Sequence, residues 1–269
     1  ARATNRQATA AKLCDVGGMR RYLLPALLLG ALSACSSVSR SARPDGVEII
    51  SFTHDSTNAI LVRKGATGFL FDSGYEKNAE QLEADLRSVP FDPAGLRAII
   101  VSHGHADHAG GAQVLHKKFG TPVIVGAGDE GMFASGRNEP LCPVGLIARS
   151  RQGKDQSATY TGSQPDVILR ETTELGGLTG VPGRVLLIPG HTRGSLVVAV
   201  SDVLLVGDLL RGSIVGSGAE THFFMCDLAQ NQRNIAALLA AYPEAKSLYV
   251  GHFGPVTPAS VRDHFHLSP

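Results

Sequence analysis

The chain has 269 residues, 43% hydrophobic and 18% charged, enough for one large domain with a substantial core. Its formal charge is +1, but five basic residues and one acidic residue fall in the first 35 positions, which leaves 20 basic against 23 acidic side chains in the remainder. No basic run is interleaved with aromatics, so composition argues against nucleic acid as a partner.

Residues 1–18 are polar, lack a starting Met, and are read as an upstream extension outside the fold. Residues 19–35 follow a different logic: Met19-Arg20-Arg21 is a basic start, Tyr22 to Leu32 is apolar with one Pro, and Leu32-Ser33-Ala34-Cys35 follows at once. That stretch is too short to span a bilayer and has the layout of a secretory signal. Its last four residues resemble a bacterial lipobox. The resemblance implies cleavage before Cys35, a lipid anchor on its thiol and a place in the cell envelope. Ser36 in place of Asp favours, by resemblance to Gram-negative lipoproteins, the outer membrane facing the periplasm. Residues 36–46 are rich in Ser, Arg, Pro and Gly and read as a flexible tether. A single domain is expected over 47–269. Export would put Cys142 and Cys226 in an oxidising compartment, where a bridge and two buried free thiols both remain open.

Along the domain, short apolar runs predict strands near 47–52, 58–63, 68–71, 98–102, 122–125, 184–189, 196–201, 203–206 and 247–250. Helices are expected near 76–88, with Ala79, Leu82 and Leu86 on one face, and near 109–119, with Ala112, Leu115 and Phe119. The stretch 129–164 shows no clean period and reads as a long loop over a cleft. Asp227 with Gln230 has the spacing of a capping box opening a helix that stops before Pro243. Thr257-Pro258 has the form of an N-cap and first turn. Such alternation means α/β.

The chemistry concentrates in IIVSHGHADHAGG, where His103, His105, Asp107 and His108 put four metal-binding side chains into six residues after an apolar strand. If the strand end stays extended, His103 and His105 project to one side with period two, while Asp107 and His108 lie where the chain turns into a helix. The pattern repeats: His191, Asp208 and His252 each follow an apolar run and a Gly, the place where a sheet offers side chains to a cleft. Seven candidates exceed what one tetrahedral zinc can use, so two ions are expected.

FDSG at 71–74, HGHADH at 103–108, PGHTRGS at 189–195, VGD at 206–208 and GHFGP at 251–255 resemble the metallo-β-lactamase fold superfamily, in its order, from about residue 47 onward. The resemblance implies a single-domain, four-layer αββα sandwich with two divalent ions at one edge, zinc first, iron or manganese next. It implies that His103, His105 and His191 hold one ion, that Asp107, His108 and His252 hold the other, and that Asp208 bridges them. A hydrolase using a metal-bridging hydroxide follows, with Asp107 and Asp208 orienting that hydroxide. Asp72 is expected to orient a metal-binding histidine from behind. Arg193 and Arg211 are candidates to clamp a substrate carboxylate, and His54, His222 and Phe223 are weaker candidates for the pocket wall.

Substrate is read by subtraction. Metallo-β-lactamases proper usually carry Cys or Ser where Asp208 stands. Glyoxalase II proteins share the Asp but add a helical glutathione-binding region, and 17 residues follow His252. Quorum-signal lactonases often place Tyr three residues after the Asp, where this chain has Arg211. A small-molecule ester, thioester or lactone is the expected substrate. The alternatives are a mononuclear iron persulfide dioxygenase, a β-lactam hydrolase and a non-enzymatic envelope lipoprotein. The full ligand set argues against the dioxygenase and the non-enzymatic lipoprotein.

Overall fold

The computed structural model describes residues 37–268. The extension 1–18, the signal 19–35 and Cys35 lie outside the described residues. One sheet holds seven strands in sequence order: β1 Ser37–Ala42, β2 Val47–His54, β3 Thr57–Lys64, β4 Thr67–Phe71, β5 Leu96–Ile100, β6 Val123–Gly126 and β7 Val167–Leu169. β1 to β4 pair antiparallel and β4 to β7 parallel. Parallel neighbours need crossovers, and the helices α1 Ala79–Ser88, α2 Ala106–Ala109, α3 Ala112–Phe119, α4 Glu130–Ser135 and α5 Gly145–Gln156 lie within them. The second sheet is built from β8 Thr173–Glu174, then, beyond α6 Leu175–Thr179, β9 Arg184–Leu187, β10 Leu196–Val200, β11 Val203–Gly207 and β14 Ser247–Val250. Its strand order is β14-β11-β10-β9-β8. A small hairpin, β12 Arg211–Gly212 with β13 Ala219–Glu220, leads to α7 Leu228–Ala241, and α8 Pro258–Phe265 ends the fold.

Runs such as Ile60-Leu61-Val62 and Phe69-Leu70-Phe71 are apolar throughout because both faces of each sheet are covered. Leu61, Leu70 and Ile99 turn outward onto Leu82, Leu86 and Leu115 of α1 and α3. Ile60, Phe69, Phe71 and Ile100 turn inward and meet Val185, Leu196, Val198 and Leu205 between the sheets. On the far side, Val197 and Leu204 pack with Ile235 and Leu238 of α7 and Val261 and Phe265 of α8. The order of layers is therefore helix, sheet, sheet, helix. Each such side chain contributes about 1.5–3 kcal/mol by leaving water. Among the described residues no helix is long and apolar enough to cross a membrane.

Three expectations change and one open alternative is decided. Residues 37–42, read as part of a flexible tether, form β1, which pairs along its whole length with Glu48–Thr53 of β2. Strand pairing uses backbone groups, so exposed Ser and Arg side chains do not prevent it. Arg43 then ties this edge to Asp202 in the β10–β11 turn. The stretch 129–164 is not a structureless loop, because it carries α4 and α5. Their short apolar faces hide the period: α5 buries Ala148 against Leu141 and Phe224 while Leu146 and Ile147 stay exposed. The capping box at Asp227 is half formed. Its carboxylate accepts from the Gln230 amide at 2.8 Å, but the Gln230 side chain donates forward to Asn234. Cys142 and Cys226, left open by the sequence, form a disulfide that joins the approach to α5 to the approach to α7.

Candidate metal centre

All seven donor residues converge at the edge where the two sheets meet. From the first sheet, the chain leaves β5 at Ile100, and His105 takes the N-cap position of the one-turn α2, which carries Asp107 and His108. From the second sheet, His191 follows β9, Asp208 follows β11 and His252 follows β14. The glycines before the donors have specific work. Gly207 adopts φ +52°, and at Gly251 a Cβ would lie 2.1 Å from Asp208 Oδ1 and 2.5 Å from the His108 ring. Only a residue without a side chain permits that approach.

Asp208 Oδ2 is the common point. It lies 3.3 Å from the Nε2 atoms of both His108 and His252, and 3.8 Å from those of His103 and His191. His191 Nε2 faces His105 Nδ1 at 3.0 Å, and Asp107 Oδ2 lies 3.3 Å from His252 Nε2. His103 with His105 and His191, and His108 with Asp208 and His252, each place their donor atoms within 4.8 Å of one another.

The outward ring nitrogens are pinned by oxygen acceptors. His108 Nδ1 is 2.8 Å from Asp72 Oδ2, His191 Nδ1 is 2.8 Å from the Phe224 carbonyl, and His252 Nδ1 is 2.9 Å from the Ser56 carbonyl. His103 Nδ1 meets Ser102 Oγ at 2.9 Å, and that hydroxyl donates to Asp72 at 2.8 Å. An Nδ1 proton directed outward leaves the Nε2 lone pair directed inward, the tautomer a metal needs. Asp129, which the sequence did not single out, braces both histidine loops. It accepts from the Gly104 and Gly194 amides at 2.9 and 2.8 Å and from the Thr192 hydroxyl at 2.7 Å. Burial pushes its pKa up to about 6 despite those donors.

Burial, then neighbouring rings, hold His103 and His191 well below the usual imidazole range, and burial lowers His105 to about 4. Burial also opposes charge on His108 and His252, but Asp208 and Asp107 outweigh it and raise both, His252 to about 10. Asp208 is held low by His108, His222 and His252 against its own burial. Two carboxylates are thus balanced by proton charge that a bound cation would replace. The fit to metal rests on three atoms. His103 Nε2, Asp208 Oδ1 and His222 Nε2 are buried at this centre without hydrogen-bond partners, a condition that proteins rarely tolerate and that metal ions relieve.

The centre forms the floor of a cleft of about 260 Å³ lined by Tyr75, Leu141, Ile147, Ile214, Phe223 and Phe253, with Asp55, Asp155, Asn138 and Arg151 at its polar positions. Neither arginine expected to clamp a carboxylate reaches it. Arg193 is exposed and lies away from the lining. Arg211 is buried, paired with Glu220 and stacked 4.2 Å beneath the Phe223 ring. Position in sequence placed both near ligands, but their side chains point elsewhere. His54 pairs with Asp85 at 2.8 Å, outside the cleft. His222 and Phe223 do line it, and His222 stands among the donors. A lone His after a polar hairpin gave no signal for that.

Residues 52–260 match the family model of the metallo-beta-lactamase superfamily. A hydroxyacylglutathione hydrolase of Alkalilimnicola ehrlichii is 32% identical over 179 residues, covering 65% of this chain and 53% of that protein. Another, of Shewanella pealeana, is 27% identical over 115 residues, 43% of this chain and 33% of that protein. The chain thus spans a third to about half the length of these curated relatives. In structure it is similar to the metallo-β-lactamase TMB-1, with TM-score 0.58 and 20% identity over 86% of this chain and 96% of that one. It is also similar to BJP-1 of Bradyrhizobium japonicum, with TM-score 0.55 and 18% identity over 76% and 74%. Those two likenesses concern the fold alone. With the family model spanning most of the domain and the sheets arranged as in these enzymes, the chain belongs to the metallo-β-lactamase superfamily.

Proposed function

We propose that the protein is a binuclear metal-dependent hydrolase of small esters, thioesters or lactones. One observation carries this reading: six donors gather about the Asp208 carboxylate at the floor of a cleft, with the inward lone pairs of His103, His108, His191 and His252 set by outward hydrogen bonds. His103 Nε2, His105 Nδ1 and His191 Nε2 would hold one ion, Asp107, His108 and His252 the other, and Asp208 both. Zinc suits this mixture of imidazole and carboxylate. When bound, such ions supply Lewis acidity and make water acidic enough to react near neutral pH. Asp107 and Asp208 accept hydrogen bonds from the attacking water and so fix its direction, while the cleft walls exclude bulk solvent.

The lining supports an uncharged substrate with an apolar part. Phe223, Ile147 and Ile214 offer apolar surface, and the carboxylates of Asp55 and Asp155 are ion-paired, with Lys77 at 2.6 Å and with Arg151 at 3.1 Å. Arg151, the one Arg or Lys in the lining, is thereby committed to a neighbouring side chain. Two of the relatives are hydroxyacylglutathione hydrolases, which supports thioester hydrolysis, and a lining whose one Arg or Lys is already paired favours a neutral partner over an anionic peptide thiol. Elemental analysis of protein purified without chelator tests the centre, with two zinc ions per chain expected, followed by a panel of neutral and anionic esters, thioesters, lactones and β-lactams. Asp208→Ala should lower metal occupancy and turnover together. One iron per chain would move the reading to oxygen-dependent sulfur chemistry, and no metal after reconstitution would end it.

Attachment to the envelope through a lipid on Cys35 belongs to the same proposal. The Cys142–Cys226 bridge supports export, since such bonds persist in oxidising compartments. Intact mass of membrane-extracted protein, read for lipid on Cys35, tests it. An unmodified cytoplasmic chain contradicts it.

A further inference from the structure

His222 lies fourteen positions beyond Asp208, between β13 and α7. It is 4% exposed. Its Nε2 is 3.0 Å from Asp208 Oδ2, closer than any of the histidines expected to bind metal. The ring stands edge-on to His191 at 4.6 Å and nearly parallel to His252 at 5.5 Å. Despite that proximity, Nε2 makes no hydrogen bond. Leaving a buried ring nitrogen unpaired is costly, so its direction needs a reason.

The Phe224 carbonyl supplies half of it. This one oxygen lies 2.8 Å from His191 Nδ1 and 3.2 Å from His222 Nδ1. A carbonyl can only accept, so the bond it makes puts the proton on Nδ1 and leaves Nε2 with a lone pair facing inward, as for His191. The Phe224 amide is also 3.2 Å from His222 Nδ1. In that tautomer Nε2 would carry a proton and need an acceptor along its axis, and none is there. The lone-pair state is the one that a cation satisfies. His191, Asp208 and His222 already hold their donor atoms within 4.8 Å of one another.

We propose that His222 is an eighth donor of the centre, adding Nε2 beside His191 and the shared Asp208 carboxylate on the cleft side. The proposal rests on the metal reading given above. It makes the histidine set six rather than five, and it places one donor on the segment fastened by Cys142–Cys226 and walled by Phe223. Substrate would therefore approach one ion past a protein ligand.

The test uses the full chain loaded with Co(II), compared with His222→Ala and with His222→Phe, which keeps ring volume in the stack. Paramagnetically shifted, exchangeable ring N–H signals are counted by proton NMR, and Co(II) affinity is measured by chelator competition. Wild type should show six such signals, one per histidine of the enlarged set, and each variant should show one fewer, with affinity lowered about 10–100-fold. Five signals in wild type overturn the proposal even if neither variant folds. Unchanged spectra and affinity in the folded variants overturn it as well. Failure of wild type to bind Co(II) at all overturns both this proposal and the metal reading beneath it, which separates the two failures.

Discussion

At the scale of single residues, the candidate donors were legible and, Asp72 apart, their supports were not. His103 to His108 announce themselves because four ligand types fall together, and His191, Asp208 and His252 share a strand-then-glycine context. Asp72 was legible for the same reason, as part of an FDSG turn. Asp129 and the Phe224 carbonyl act through bonds spanning 65 and 33 residues, which no local pattern records. Arg193 and Arg211 failed in the opposite way, since nearness along the chain says nothing about where a guanidinium points. Asp72 is 1% exposed and holds both His108 and Ser102. Asp72→Asn should therefore weaken metal binding about 10–100-fold with the fold retained. Chelator competition together with circular dichroism checks this, and unchanged affinity would leave Asp72 a turn residue only.

Among elements, those with a clear apolar run were foreseen within a few residues: β2 to β6, β9 to β11, β14, α1, α3, α7 and α8. β7, β8, β12, β13 and α6 were missed because two to five residues are too short to show a period, and β1, α4 and α5 because each is held by something other than a repeating apolar face. β1 is held by backbone pairing and by the Arg43–Asp202 clip at the opposite sheet. The Arg43 hydrogen bond keeps the Asp202 carboxyl below its usual range, opposed by partial burial and aided by Lys246. The unfolded chain takes up that proton near pH 4, so the clip stabilises above that pH and is lost as pH falls through the lower folded-state value. Asp202→Asn should reduce stability by up to about 1 kcal/mol at pH 7, with the difference from wild type disappearing in strong acid. Urea unfolding at both pH values tests it, and faster hydrogen exchange confined to β1 would locate the effect.

Over the whole molecule, the alternation of elements made α/β legible, whereas the αββα order came from the resemblance alone; the structure supplies its physical reason, since continuous apolar runs need cover on both faces. The centre draws donors from the ends of both sheets, so a bound ion joins the two halves of the fold. Chelation should lower the melting temperature, and restoring metal at about a thousandfold over its dissociation constant should return about 4 kcal/mol. Scanning calorimetry with and without zinc measures this, and a melting temperature indifferent to metal would mean that the halves hold without it. The tight approach at Gly251 reaches further than stability. A methyl group there would collide with Asp208 Oδ1 at 2.1 Å, so Gly251→Ala should empty the centre as fully as loss of Asp208, which elemental analysis would register. A related chain carrying every donor but alanine at this place would pass any inventory of ligands and still be inert, so a gene's capacity for this chemistry is written partly in a residue that has no side chain.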